Sequence, residues 1–156
     1  MNSGFNYARY RASILTNNLT EDDLPINPLK LIQDLYKVDL FYEDLCGEEG
    51  YTFFNPANNK YRIFIDNNYR VSRRNFTIAH EVGHIVLGHF LNFDLSNPEI
   101  HKMLDKHANA FASALLMPTH ILKKFDCLSA NYIANAFNVS IEALSIRTNY
   151  VKINIV

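Results

Sequence analysis

The sequence predicts an α+β fold, and three observations lead to it. Short aromatic and β-branched segments separated by turn residues occupy 38–66. Two stretches of helical apolar spacing occupy 72–117, and short helix-like segments fill the chain from there to about residue 150.

In chain order, residues 5–16 (FNYARYRASILT) have the makeup of a short helix. The polar stretch leading to Pro25 and Pro28 ends it, because proline lacks an N–H and restricts the residue before it. Pro28 suits a helix start, and Leu31, Leu35 and Val38 fall at helical spacing, so a second helix is expected over 28–37. The segments VDLFYEDL (38–45), YTFF (51–54) and YRIFID (61–66) read as strands parted by CGEEG and NPANN turn clusters. Short connections of this kind usually join neighbouring strands, so a small three-stranded antiparallel sheet is expected, ending at Asn67 and Asn68. From Ser72 the spacing turns helical: Phe76, Ala79, Val82 and Val86 belong to a strongly apolar helix that should run to about Gly88, a good C-terminal cap. NFDLSNP (92–98) is a loop, and Pro98 opens a helix that Pro118 stops after Met117. Residues 119–150 hold two or three short helices, with Ser140 as an N-cap.

Composition narrows the functional classes. Hydrophobic residues make up 48% of 156 residues, enough for an ordinary core in a chain of single-domain length. A net charge of −1 offers no footprint for nucleic acid or an anionic membrane surface. Cys46 and Cys127 form no C-x-x-C pair and read as free thiols of a reducing compartment. The N-terminal segment lacks the apolar run of a signal peptide, and no stretch approaches the ~18 apolar residues that span a bilayer. The expectation is a soluble, cytoplasmic protein.

Chemistry concentrates in His80, Glu81, Val82, Gly83 and His84. Positions four apart share a helix face, so both imidazoles can reach one tetrahedral zinc ion. Glu81 is rotated about 100° from His80, beside the metal rather than on it, where it can take a proton from a zinc-bound water and pass it to the leaving amine. With six His and seven Glu, an H-E-x-x-H arises by chance in roughly one scrambled sequence in a hundred. Two His and a Glu within an apolar helix would be costly unless paired or ligating.

A catalytic zinc site usually has three protein ligands. The metzincin pattern fails, because Leu87 and Phe90 stand where it requires Gly and His. His89 reads as a residue near the helix end, where a cation is favoured by the dipole. On the next helix Asp105 and His101 lie on one shoulder of the apolar stripe and His107 on the other, so helical position alone admits all three as third ligand.

The runs RRNFTIAHEVGHIVLGH (73–89) and DKHANAFASALLMP (105–118), with IANAFNVSIEALSIR (133–147), resemble the ImmA/IrrE family of metallo-endopeptidases over about residues 28–147. The resemblance implies a zincin-like domain, with a small sheet beside the active-site helix and a second helix supplying a ligand. It implies one Zn2+ per chain, with His80 and His84 as metal ligands and Glu81 as general base. Asp105 stands where the family has a Glu, as the third ligand. Asn109 matches a family Asn that could hydrogen-bond a ligating His, and Arg73 and Thr77 match further family positions. Family members are reported to cleave or inactivate transcriptional repressors, often of mobile genetic elements. The implied function is a zinc-dependent endopeptidase acting on a helix-turn-helix repressor. Residues 1–118 would form the peptidase core and 119–156 a helical extension of the same domain.

A substrate strand could add to a sheet edge beside the zinc, and YRIFID is the candidate edge because it directly precedes the active-site segment. Tyr51, Tyr61, Tyr69 and the unassigned His are candidate oxyanion donors. The alternative function is a non-catalytic, zinc-stabilised regulator that binds a repressor or DNA. The helix-turn-helix-like tail invites the DNA reading, but Arg147 and Lys152 are its only cations after Lys124, too few for phosphate contacts. An intact Glu81 argues against pure sequestration.

Overall fold

The computed structural model describes residues 2–156. In these residues α1 (Asn2–Thr16) precedes the strands β1 (Lys37–Glu43), β2 (Gly50–Asn55) and β3 (Lys60–Asp66). Then come α2 (Val71–Val86), α3 (His89–Asn92), α4 (Pro98–Leu116), α5 (Thr119–Leu122), α6 (Ala130–Phe137) and α7 (Ile141–Val151). The architecture is α+β, as expected.

The sheet is mixed, which corrects the antiparallel expectation. Its order is β1-β3-β2: β2 runs antiparallel to β3 with Thr52 opposite Ile63, and β1 runs parallel to β3 with Leu40 opposite Ile63. The cause is the segment 44–49, which crosses the end of β3 instead of turning back as a hairpin. It is stitched there by two hydrogen bonds: Asp66 N–H donates to the Glu49 carbonyl at 3.0 Å, and Leu45 N–H donates to the Asp66 carboxylate at 3.1 Å. Beside them Asn67 N–H donates to the carbonyl of Glu43, the last residue of β1, at 3.0 Å. YRIFID is therefore the central strand and not an edge. The free edges belong to β1 and β2.

The helix expected over 28–37 is also absent. Residues 28–35 form consecutive turns, with Ile32 N–H donating to Leu29 O and Leu35 N–H to Ile32 O. Ile32 is fully buried while Leu35 is 66% exposed, so the segment has one anchor and no continuous apolar face to hold a helix.

Alternate β3 residues Tyr61, Ile63 and Ile65 are buried, meeting Ile78, Val82 and Ile85 in one core. The layers run sheet, α2, α4, α1. Contact between α2 and α4 depends on Gly83. A Cβ there would lie 3.0 Å from Phe111 Cδ1 and 3.3 Å from the Ala108 Cα and carbonyl oxygen. The small residues Ala108 and Ala112 on α4 complete this close approach. At the end of α2, Gly88 takes a left-handed φ of +72° and swings the chain into α3.

Both C-terminal helices start on serine caps, Ser140 as expected and Ser129 in addition. Ser129 and Ser140 hydroxyls accept from Tyr132 and Ala143 N–H, and Asn138 turns between α6 and α7 at φ 51°. The buried Arg147 guanidinium ties α7 to the end of α4, donating to Met117 O and Thr119 Oγ1, both at 3.1 Å. Burial, assisted by Arg9, lowers its pKa to about 10. No helix is long and apolar enough to cross a membrane.

Candidate metal centre

Helical spacing on α2 stacks His80 and His84 one turn apart, with Nε2 atoms 3.0 Å from each other. The close α2–α4 crossing brings Asp105 to the pair, its Oδ1 3.3 Å from His84 Nε2 and 3.8 Å from His80 Nε2. Donors about 2.05 Å from a tetrahedral ion stand about 3.3 Å apart. The three observed separations bracket that value, so this His/His/Asp cluster fits a metal ion held by three protein atoms.

Proton positions, assigned from the partners, agree with the fit. His80 Nδ1 lies 2.8 Å from Asn109 Oδ1, an acceptor, so the ring proton sits on Nδ1 and Nε2 keeps its lone pair. His84 Nδ1 lies 2.9 Å from His89 Nδ1. With His84 as donor, two lone pairs share one gap, an arrangement that a cation stabilises and that two neutral rings alone disfavour. Burial drives the His84 pKa down to about 2, helped by His80, His89 and His101, and that of His89 down to about 4. Both rings are therefore neutral near pH 7. This corrects the reading of His89 as a helix-end cation: the turn at Gly88 folds it back beneath His84, where it is 2% exposed.

Glu81 lies beside the cluster and is 7% exposed. The Thr52 hydroxyl on β2 donates to its Oε2 at 2.6 Å, while burial pushes its pKa upward. The second Asp105 oxygen lies 3.1 Å from His101 Nδ1 on the cleft rim. His107 points elsewhere, its ring edge-on to Phe5 at 5.0 Å and against Gly4 of α1, so it is not part of the cluster.

A cleft of about 600 Å³ passes over the cluster, with Gly50, Tyr51 and Thr52 of β2 on one wall. At one end Arg73 pairs with Glu49 at 2.6 Å. Of the candidate tyrosines, Tyr61 is in the core, Tyr69 donates its hydroxyl to Gly47 O, and Tyr51, which lines the cleft, stacks on Phe64 at 5.0 Å. Thr52 and His89 were not singled out by the sequence as parts of this site. The signal for Thr52 was a hydroxyl on the inward face of an aromatic strand, and that for His89 was a histidine just past a glycine cap.

The fold of the chain matches that of a Mycobacterium tuberculosis transcriptional regulator, with a TM-score of 0.63 and 15% sequence identity. The match covers 96% of this chain and 47% of that one, so the chain spans about half the regulator's length. No curated protein matches it in sequence. Residues 33–149 match the IrrE N-terminal-like domain, Peptidase M78. That match takes in both cluster-bearing helices and most of the chain, and on it the chain belongs to the IrrE N-terminal-like family, Peptidase M78.

Proposed function

We propose that the chain is a zinc-dependent endopeptidase that cuts a protein substrate, a helix-turn-helix transcriptional repressor. One observation carries the reading. Three donor atoms converge from two helices, while a buried carboxylate beside them, outside the cluster, accepts a hydrogen bond from Thr52. A purely structural site has no use for that carboxylate.

His80, His84 and Asp105 would hold the ion. Bound there, zinc would supply Lewis acidity and make a water molecule far easier to deprotonate. Glu81 is the proton carrier: burial raises its proton affinity towards the range a general base needs, and Thr52 fixes its Oε2. Asn109 keeps the His80 proton on Nδ1, and His89, by accepting from His84 Nδ1, would do the same for His84, turning both Nε2 atoms to the gap. The free edge of β2 would align an extended substrate by strand addition, carrying a peptide carbonyl over the cluster. The repressor assignment draws support from the family resemblance and from the regulator whose fold this chain shares.

Glu81→Gln tests the mechanism. The amide keeps the shape and the contact with Thr52 but cannot take a proton. Zinc content should be unchanged while cleavage falls by at least 10²–10⁴. Repressor length on a gel, beside reporter expression, gives the answer. Derepression with uncut repressor in both wild type and variant would leave a sequestering protein instead.

A further inference from the structure

Beyond the cleft lies a second groove of about 540 Å³, walled by α1, the first half of α2, α4 and α7. Its walls are largely apolar and carry small residues, Ala110, Ser113 and Ala143 among them, which leave the space open. Ile146 and Tyr150 project beside it, 71% and 54% exposed. Arg73, Phe76 and Asn109 line both this groove and the metal-centre cleft, so the two are continuous around the Asn109 that holds His80.

The charge in the groove is one-sided. Arg9, Lys106 and Arg147 face Glu142, while Arg73 is already neutralised by Glu49. None of those first three cations has a carboxylate partner among the described residues. Arg9 and Arg147 instead flank the Tyr150 ring at 4.0 and 5.6 Å. Arg147 is buried and committed to Met117 O and Thr119 Oγ1, so Arg9 and Lys106 are the cations that reach solvent beside this apolar floor, in a chain with a net charge of −1.

We infer that this groove is the specificity subsite of the proposed peptidase, receiving a large apolar side chain and a neighbouring acidic residue of the substrate on one side of the bond to be cut. The inference rests on the peptidase reading for its direction. Its physical content, a pocket for an apolar-acidic peptide, is tested separately. Volume and apolar walls suit one or two bulky side chains, and Lys106 with Arg9 supplies the counter-charge at the mouth. The continuity places that peptide within reach of the metal centre without crossing the body of the protein.

The test is selection of a random peptide library, displayed on phage, against the full Glu81→Gln chain loaded with zinc. Selected peptides should pair a large apolar residue with Asp or Glu. Arg9 and Lys106, both screened by solvent, each contribute up to about fivefold to that preference. In the Arg9→Gln, Lys106→Glu background the acidic preference should disappear while apolar selection persists. Ala143→Leu, which narrows the groove, should weaken both, with circular dichroism verifying the fold of each variant. No enrichment, or an acidic preference that survives the charge changes, overturns the inference. The selected peptides are then given to the wild-type chain. Binding without cutting would count against the peptidase reading alone, and cutting of peptides without the acidic preference against the subsite alone.

Discussion

Gly83 sits at the crossing that lets Asp105 reach the histidines, and Gly83→Ala perturbs that crossing by one methyl group. Its Cβ would meet Phe111 Cδ1 at 3.0 Å and the Ala108 backbone at 3.3 Å, where carbon contacts normally lie at about 3.5–4.0 Å. The neighbours are buried backbone and a fully buried ring, so the helices must part by about 0.2–1.0 Å. Metal donors tolerate about 0.2 Å. Asp105 lies one turn before Ala108 and Asn109 on the displaced helix, and it should lose contact first. The expected result is a zinc affinity lower by about 10–100-fold, the range seen when supporting groups around a metal are lost. Stability of the metal-free chain should change less, because alanine's helix preference of about 1 kcal/mol offsets an overpacking penalty of about 1–3 kcal/mol. Competition titration with a chromogenic chelator measures the first quantity and denaturant unfolding the second. Adding Asp105→Glu, whose carboxylate reaches about 1.5 Å further, should restore part of the affinity. Zinc affinity within about twofold of wild type in a folded Gly83→Ala chain would refute the link between crossing and site.

Other outcomes follow from the same geometry. Asp105→Ala should reduce zinc affinity by at least 10–100-fold, whereas His107→Ala, which alters only the packing against α1, should leave zinc stoichiometry intact by elemental analysis. Thr52→Val should leave zinc bound but lower the cleavage rate about tenfold in a peptide assay, since it removes the donor that fixes Glu81. An unchanged rate would take Thr52 out of the mechanism. In the metal-free chain His84 and His89 have folded pKa values depressed to about 2 and about 4, below the unfolded 6.5. Stability is therefore present above about pH 6.5 and lost as pH falls towards 4, by up to about 1.4 kcal/mol per pH unit for each histidine. Denaturant midpoints flat between about pH 7.5 and 5 would contradict that neutral, buried pair.

What was legible in the sequence was whatever rests on local spacing. The i, i+4 pair placed His80 and His84 on one face, Pro98 and Pro118 bounded α4, and the Ser140 cap of the tail held. Asp105 could be singled out from His101 and His107 only with the help of the family motif. The structure agrees on the grouping because Gly83 sets the angle and distance of α4, information that no single helix contains. The sheet failed for the complementary reason. Hairpin logic treats 44–49 as a turn between neighbours, yet its backbone hydrogen bonds go to the far end of β3. That non-local pairing makes β2 an edge strand instead of the central one and delivers Thr52 to Glu81. His89 was misread by a local rule as well, since a helix-end histidine is a solvated cation only where the chain continues outward, and Gly88 turns it inward.

These errors have a common physical origin. The site collects groups that a helix interior would otherwise reject: two histidines and a carboxylate on an apolar face. Each is tolerated because a distant element supplies one partner: Asn109 from α4 for His80, His89 from beyond the glycine cap for His84, Thr52 from the edge strand for Glu81. Each partner also fixes something chemical. Two place ring protons and one aims a carboxylate, so the interactions that make burial tolerable are the same ones that set donor orientation. Removing any of them should therefore disturb stability and metal or proton affinity together. A side chain that merely filled space would change stability alone. That coupling distinguishes a built reactive site from a chance polar cluster.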